Sequence, residues 1–174
     1  MTRAIFLDRD GTILKLNGYI TNAAKIEFFP WTFEAIRKIN TAGYLCIIIT
    51  NQPAIAQGRM TRQELEDIHM VLYQLARAQG GAEIDAFYYC PHHPEKGWPG
   101  EIDYLKIQCA CRKPRPGMII NAGMEYNIDL SQSWMIGDSD CDIVAGKAAG
   151  CKTMQITKEH NLLDCVNLIL GEEK

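Results

Sequence analysis

The chain has 174 residues, 47% of them apolar, with 18 Lys and Arg against 21 Asp and Glu and a formal net charge of -3. That length supports one packed domain rather than two, and the dispersed Lys and Arg give no basic field for nucleic acid. The opening run Met-Thr-Arg-Ala-Ile-Phe-Leu-Asp soon meets charge, and no later apolar run reaches bilayer length, so a cytoplasmic protein with no membrane partner is expected.

Arg3 to Leu7 is a short apolar run that ends in Asp8-Arg9-Asp10-Gly11, and Tyr44 to Ile49 is a β-branched run that ends in Thr50-Asn51. Both read as buried parallel strands. Between them, Trp31 to Ala42 has helical spacing and stops before Gly43, which makes a β-α-β unit. A second helix starts at Thr61-Arg-Gln-Glu64, a capping box, carries Leu65, Ile68, Leu72 and Leu75 on one face and ends at Gly80-Gly81. A strand at Ala86 to Tyr89 leads into a long loop, Cys90 to Arg115, rich in Cys, His, Pro and Gly; loops of that length tend to be functional. A helix over Pro116 to Glu125, a strand at Trp134 to Ile136, a helix, a strand at Lys152 to Ile156 and a last helix follow. The alternation predicts an α/β fold with a doubly wound parallel sheet, in a single domain over residues 1–174.

In such sheets ligands bind beyond the carboxyl ends of the strands. Three predicted strand ends deliver Asp8 and Asp10, Thr50 and Asn51, and Asp138 and Asp142. Carboxylates at Asp8, Asp10 and Asp138 would repel one another without a hard cation, and Mg²⁺ suits a few oxygens plus a substrate phosphate. Asp8 is placed to attack phosphorus. Asp10 is placed to protonate the leaving oxygen and then take a proton from water. Asp-Arg-Asp-Gly alone also reads as plain turn chemistry.

Phe6-Leu7-Asp8-Arg9-Asp10-Gly11-Thr12, Ile49-Thr50-Asn51-Gln52, Cys111-Arg112-Lys113-Pro114 and Ile136-Gly137-Asp138-Ser139-Asp140-Cys141-Asp142 resemble the four ordered motifs of the haloacid dehalogenase (HAD) superfamily. The resemblance spans nearly the whole chain. It implies a phosphatase working through an aspartyl-phosphate, with Asp8 as nucleophile and Asp10 as acid/base that also binds Mg²⁺ through its backbone carbonyl. It further implies Thr50 and Asn51 on the transferring phosphoryl, Lys113 neutralising it, and Asp138 on Mg²⁺. Asp142 is either the second acid of the last motif or an exposed first-turn acid favoured by the helix dipole.

Seven cysteines in a reducing compartment argue for metal, catalysis or burial rather than disulfides. Cys90-Pro91-His92-His93-Pro94 followed by Cys109-Ala110-Cys111 forms two close ligand pairs, the usual build of a tetrahedral Zn²⁺ site. Three thiolates and one imidazole close the shell, so this zinc is expected to be structural, pinning Arg112 and Lys113. The chemistry leaves His92 and His93 both open; the resemblance implies His92, with Cys90, Cys109 and Cys111. Cys46, Cys141, Cys151 and Cys165 read as buried small apolar residues, His69 as packing or surface, and His160 as surface.

The intervals between the motifs leave no room for a cap domain, so the flap at Leu14 to Lys25 and the zinc loop must supply specificity. Arg112 is a candidate for a sugar hydroxyl or a second phosphate. The zinc-loop form resembles the HAD branch that acts on a heptose bisphosphate or on histidinol phosphate, and the expected partner is a small phosphorylated metabolite, a sugar bisphosphate first. The chain departs from that branch at Gln52-Pro53-Ala54, where Ser-Gly is more usual, and in a longer zinc loop containing Lys96-Gly-Trp98-Pro-Gly. A monomer is expected. The alternative is a non-enzymatic zinc-stabilised binding module, which the intact Asp8, Asp10, Lys113 and Asp138 set argues against.

Overall fold

The computed structural model describes residues 1–16, 18–79 and 81–171. The apolar run Arg3–Leu7 forms β1, and the β-branched run Tyr44–Asn51 forms β2, paired in parallel from Arg3 with Tyr44 to Leu7 with Ile48. β3 (Ala86–Cys90) flanks β2, while β4 (Trp134–Gly137) and β5 (Lys152–Gln155) extend the other side. All pairings are parallel, and the strand order is β3-β2-β1-β4-β5. Chain order reverses beside β1, which opens the crevice at its carboxyl end.

Side chains alternate across the sheet, as a strand's twofold period requires. Ile5, Leu7, Cys46, Ile48 and Ile136 face one layer, in one core cluster with buried residues of α1 (Thr32–Thr41), α3 (Arg62–Ala78) and α6 (Leu162–Leu170). Ala4, Phe6, Ile47, Ile49 and Met135 face the other, with α4 (Gly117–Glu125) and α5 (Asp140–Ala148). Both faces of β1 and β2 are thus covered, the burial pattern expected of an all-parallel sheet.

The cap at Thr61 is as expected: its hydroxyl oxygen accepts from the Glu64 N–H at 3.1 Å, and Glu64 accepts from the Thr61 N–H at 2.7 Å. α3 ends at Ala78; of the expected Gly80-Gly81 stop, Gly80 lies outside the described residues, and Gly81 has a left-handed φ of 77°. One four-residue helix, α2 (Pro53–Ala56), was not expected. Four residues are too few to display a 3.6-residue period.

In the flap, Lys15 donates its N–H to the Glu27 carbonyl at 2.8 Å and Leu14 bridges to Phe28; Asn17 of that segment lies outside the described residues. Between β1 and α1 the described chain holds isolated bridges and a single helical turn, and between β2 and β3 its named elements are α2 and α3. Cys46, Cys151 and Cys165 are buried as expected, but Cys141 is only half-buried, its sulfur 3.2 Å from the Ser139 hydroxyl. It sits in the first turn of α5 and is not among that helix's buried residues. No helix among the described residues is long and apolar enough to cross a membrane.

Candidate active site and metal-ligand cluster

Asp8 follows the last paired row of β1, and its N–H donates to the Ile136 carbonyl at 3.0 Å, so its carboxylate projects at the strand ends. The Lys113 ammonium, side chain 2% exposed, donates to Asp8 Oδ1 at 2.7 Å and to the Ile49 carbonyl at 2.8 Å, and it pairs with Asp142 Oδ1 at 2.6 Å. Two hydrogen bonds and one ion pair thus surround the buried ammonium. Asp8 and Asp142 together hold the Lys113 pKa above its usual value, although burial works against the charge.

Asp142 is fully buried, which corrects the exposed first-turn reading. Its other oxygen accepts from the Ser139 N–H at 3.1 Å and from the Ser139 hydroxyl at 2.6 Å, a capping contact at the start of α5. The carboxylate therefore has two partners, one on each side, and anchors Lys113. A Cβ at Gly137 would collide with this carboxylate. Gly11 has an analogous part: its φ of 89° suits glycine, and a Cβ there would land on the carboxylate of Asp138. The β1 loop and the β4 loop are thereby brought into contact.

Asn51 lies 62 residues from Lys113 in sequence and clamps its backbone, accepting from the Lys113 N–H and donating to the Lys113 carbonyl, both at 3.0 Å. One N–H of the Asn51 amide is left for a ligand. Thr50 is buried and accepts from Gln52 Nε2 at 2.9 Å, which leaves its hydroxyl hydrogen free to donate. Gln52 also donates to Asp10 Oδ2 at 3.0 Å. The Asp10 carboxylate is turned towards Gln52 and Arg9.

Among the described residues, Asp8, Asp138 and Asp142 bring carboxylate oxygens within 4.8 Å of one another. This differs from the expected trio, because the Asp10 side chain is engaged elsewhere and Asp142 stands in the group. Burial pushes Asp8 up to about 7; Lys113 pulls it down, and Asp142 and Asp10 push it further up. Burial also raises Asp138, with Asp142 and Asp10 adding to the effect. One ammonium does not offset this many carboxylates, and an all-oxygen donor set with a spare positive charge needed is what a hard divalent cation fits.

The second cluster comprises Cys90, His92, Cys109 and Cys111. Its sulfur-to-sulfur distances are 3.2 to 3.5 Å, and His92 Nδ1 lies 3.5 Å from Cys90 Sγ and 3.4 Å from Cys111 Sγ. These are far beyond a disulfide bond of about 2.05 Å and near the edge of about 3.8 Å that tetrahedral Zn–S bonds of about 2.3 Å define. His93 points away, edge-on to Trp98 with ring centroids 5.0 Å apart. Trp98 packs inside the loop under the Lys106 ammonium, 4.4 Å from its ring centroid. The donor set fits zinc. The Arg112 N–H donates to Cys109 Sγ at 3.4 Å, and Arg112 Nη1 donates to the His92 carbonyl at 3.2 Å, so the cluster carries Arg112 and Lys113 directly.

Two residues of this region were not singled out in the sequence as site residues. Arg9, 1% exposed, grips Asp10, and Gln52 links Asp10 to Thr50. Arg9 looks like a surface arginine between two acids, and Gln52 registered only as a departure from a pattern.

A family model described as HAD-hydrolase-like matches residues 110–162. The chain is 38% identical over 158 residues to the D-glycero-beta-D-manno-heptose-1,7-bisphosphate 7-phosphatase of Pasteurella multocida, covering 91% of this chain and 83% of the relative. It is 39% identical over 150 residues to the enzyme of the same name from Vibrio cholerae, covering 86% and 78%. The crystal structure of D,D-heptose 1,7-bisphosphate phosphatase from B. bronchiseptica, complexed with magnesium and phosphate, superposes with a TM-score of 0.82 at 26% identity, covering 99% of this chain and all of that one. With its parallel sheet, strand-end carboxylates and this similarity along most of its length, the chain belongs to the HAD-like phosphatase family of the heptose-bisphosphate 7-phosphatases.

Proposed function

We propose that the protein hydrolyses the 7-phosphate of D-glycero-beta-D-manno-heptose 1,7-bisphosphate, with Asp8 as the nucleophile. The observation that carries the chemistry is the buried Asp8 carboxylate at the β1 end, hydrogen-bonded to Lys113 at 2.7 Å and beside Asp138. The substrate rests on relatives 38% and 39% identical over most of the chain.

In the first step an Asp8 oxygen bonds to phosphorus, the bond from phosphorus to the sugar oxygen breaks, and Asp10 gives that oxygen a proton. In the second, Asp10 takes a proton from water as the water oxygen bonds to phosphorus and the bond to Asp8 breaks, releasing inorganic phosphate. Lys113, the Thr50 hydroxyl and the free Asn51 N–H supply fixed donors for the phosphoryl oxygens, whose charge is what such a transfer must stabilise. Magnesium, held by Asp8, Asp138 and the Asp10 backbone carbonyl, would neutralise phosphoryl charge. Cys90, His92, Cys109 and Cys111 would hold structural zinc. Arg112, pinned to the zinc loop, would read the sugar or its second phosphate.

The test is phosphate release with Mg²⁺ from the heptose bisphosphate and from histidinol phosphate in parallel. A preference for the heptose of at least about 10²-fold in kcat/KM is expected, about 3 kcal/mol of transition-state discrimination. Comparable or faster turnover of histidinol phosphate would transfer the assignment to that substrate.

A further inference from the structure

Arg9 is among the largest fully buried side chains of the described residues, an unusual setting for a group that is charged at every physiological pH. Burying such a charge is costly unless it is paired and hydrogen-bonded. Here Nε donates to Asp10 Oδ1 at 3.0 Å and Nη2 to Asp10 Oδ2 at 2.9 Å, a two-pronged pairing. Nη1 lies 3.5 Å from Nε2 of His69 on α3. That imidazole is buried and stacked on Phe87 of β3, with ring centroids 4.5 Å apart. Burial and the Arg9 charge hold His69 down at about 3, so the ring is neutral and Nε2 accepts. The Arg9 main chain is fixed too, its carbonyl accepting from the Ile13 N–H at 3.1 Å and the Leu14 N–H at 3.0 Å.

We infer that Arg9 is a positioning residue for the phosphoryl transfer: it fixes both oxygens of the Asp10 carboxylate, and His69 on Phe87 braces it from behind. The inference rests on the reading of Asp10 as the acid/base. Asp10 Oδ2 receives two hydrogen bonds, from Arg9 and Gln52, whereas Oδ1 receives one, from Arg9. The Asp10 side chain remains 22% exposed. Oδ1 is therefore the oxygen with room to exchange a proton with the leaving group or the water. A planar fork fixes the carboxylate plane as well as its position, which a lysine would not do. Gln52 joins the same carboxylate to the Thr50 hydroxyl, so its register is set relative to the phosphoryl donors.

A double-mutant cycle tests this, using the phosphomonoester that wild type turns over best. Asp10→Asn should lower kcat about 10³-fold, within the range for general acid–base catalysis. Arg9→Met should lower it about 10²-fold through misplacement, with KM within about threefold. The double variant should be no slower than Asp10→Asn by more than about threefold, because Arg9 acts only through Asp10. A further hundredfold fall in the double variant would mean that Arg9 acts on the fold or on other groups, and would overturn the inference while leaving Asp10 as the acid/base. Wild-type kcat in Asp10→Asn would overturn the acid/base reading and the inference with it. Should Arg9→Met fail to fold by circular dichroism, Arg9→Lys enters the same cycle, with an expected loss of about tenfold that again vanishes in the Asp10→Asn background.

Discussion

Replacing Asp8 with Asn is expected to remove turnover almost entirely, by roughly 10⁴-fold or more in kcat, the scale on which loss of a covalent nucleophile is felt. The amide is nearly the same size and can still accept from Lys113 Nζ through its oxygen, so the fold should persist. What it lacks is the anionic oxygen that bonds to phosphorus. Lys113 keeps its ion pair with Asp142, so a melting midpoint close to that of wild type is expected alongside the lost activity. Steady-state phosphate release and a thermal melt on the same preparation separate the two effects. An Asp8→Asn variant that keeps even a tenth of wild-type kcat would exclude Asp8 as the nucleophile.

The second large effect is expected at the cysteine and histidine loop. Structural zinc binds with about 10–16 kcal/mol of apparent free energy in small zinc modules, and that energy is folding energy. Cys109→Ser should drop zinc from about one per chain to a small fraction of that. It should also lower the melting midpoint on the order of 10 °C, given about 2–4 °C per kcal/mol for a chain of this size. Arg112 and Lys113 follow Cys111 directly, and Arg112 bonds both Cys109 Sγ and the His92 carbonyl, so kcat/KM should fall as well although Asp8 is untouched. Metal analysis with a melt decides it: stoichiometric zinc and a wild-type midpoint in Cys109→Ser would remove the assignment.

The fold was legible because its signals are local. Arg3–Leu7 is legible to the residue, since a near-continuous apolar run that stops at charged residues reads as a buried parallel strand, and the Thr61 cap announces α3 three residues ahead of Glu64. The strand-end carboxylates were legible for a related reason: a parallel sheet delivers whatever follows its strands to one edge. What escaped is non-local. The Asn51 clamp on Lys113 spans 62 residues, and nothing near either residue signals it. Whether Asp142 is exposed or buried depends on the lysine it meets, not on its place in a first helical turn. Arg9 carries a charge that usually marks a surface, and only the pocket made by Asp10, Gln52 and a stacked His69 explains its burial. The choice between His92 and His93 is likewise made by packing, because Trp98 takes the second ring.

The measurement closest to the central claim is a single turnover with substrate labelled at the transferred phosphate, quenched in acid and mapped by peptide mass. Label on the peptide that contains Asp8, appearing and decaying at rates compatible with kcat, is the predicted result. Full turnover with no label on Asp8 at any time, or label on another residue, would contradict the account.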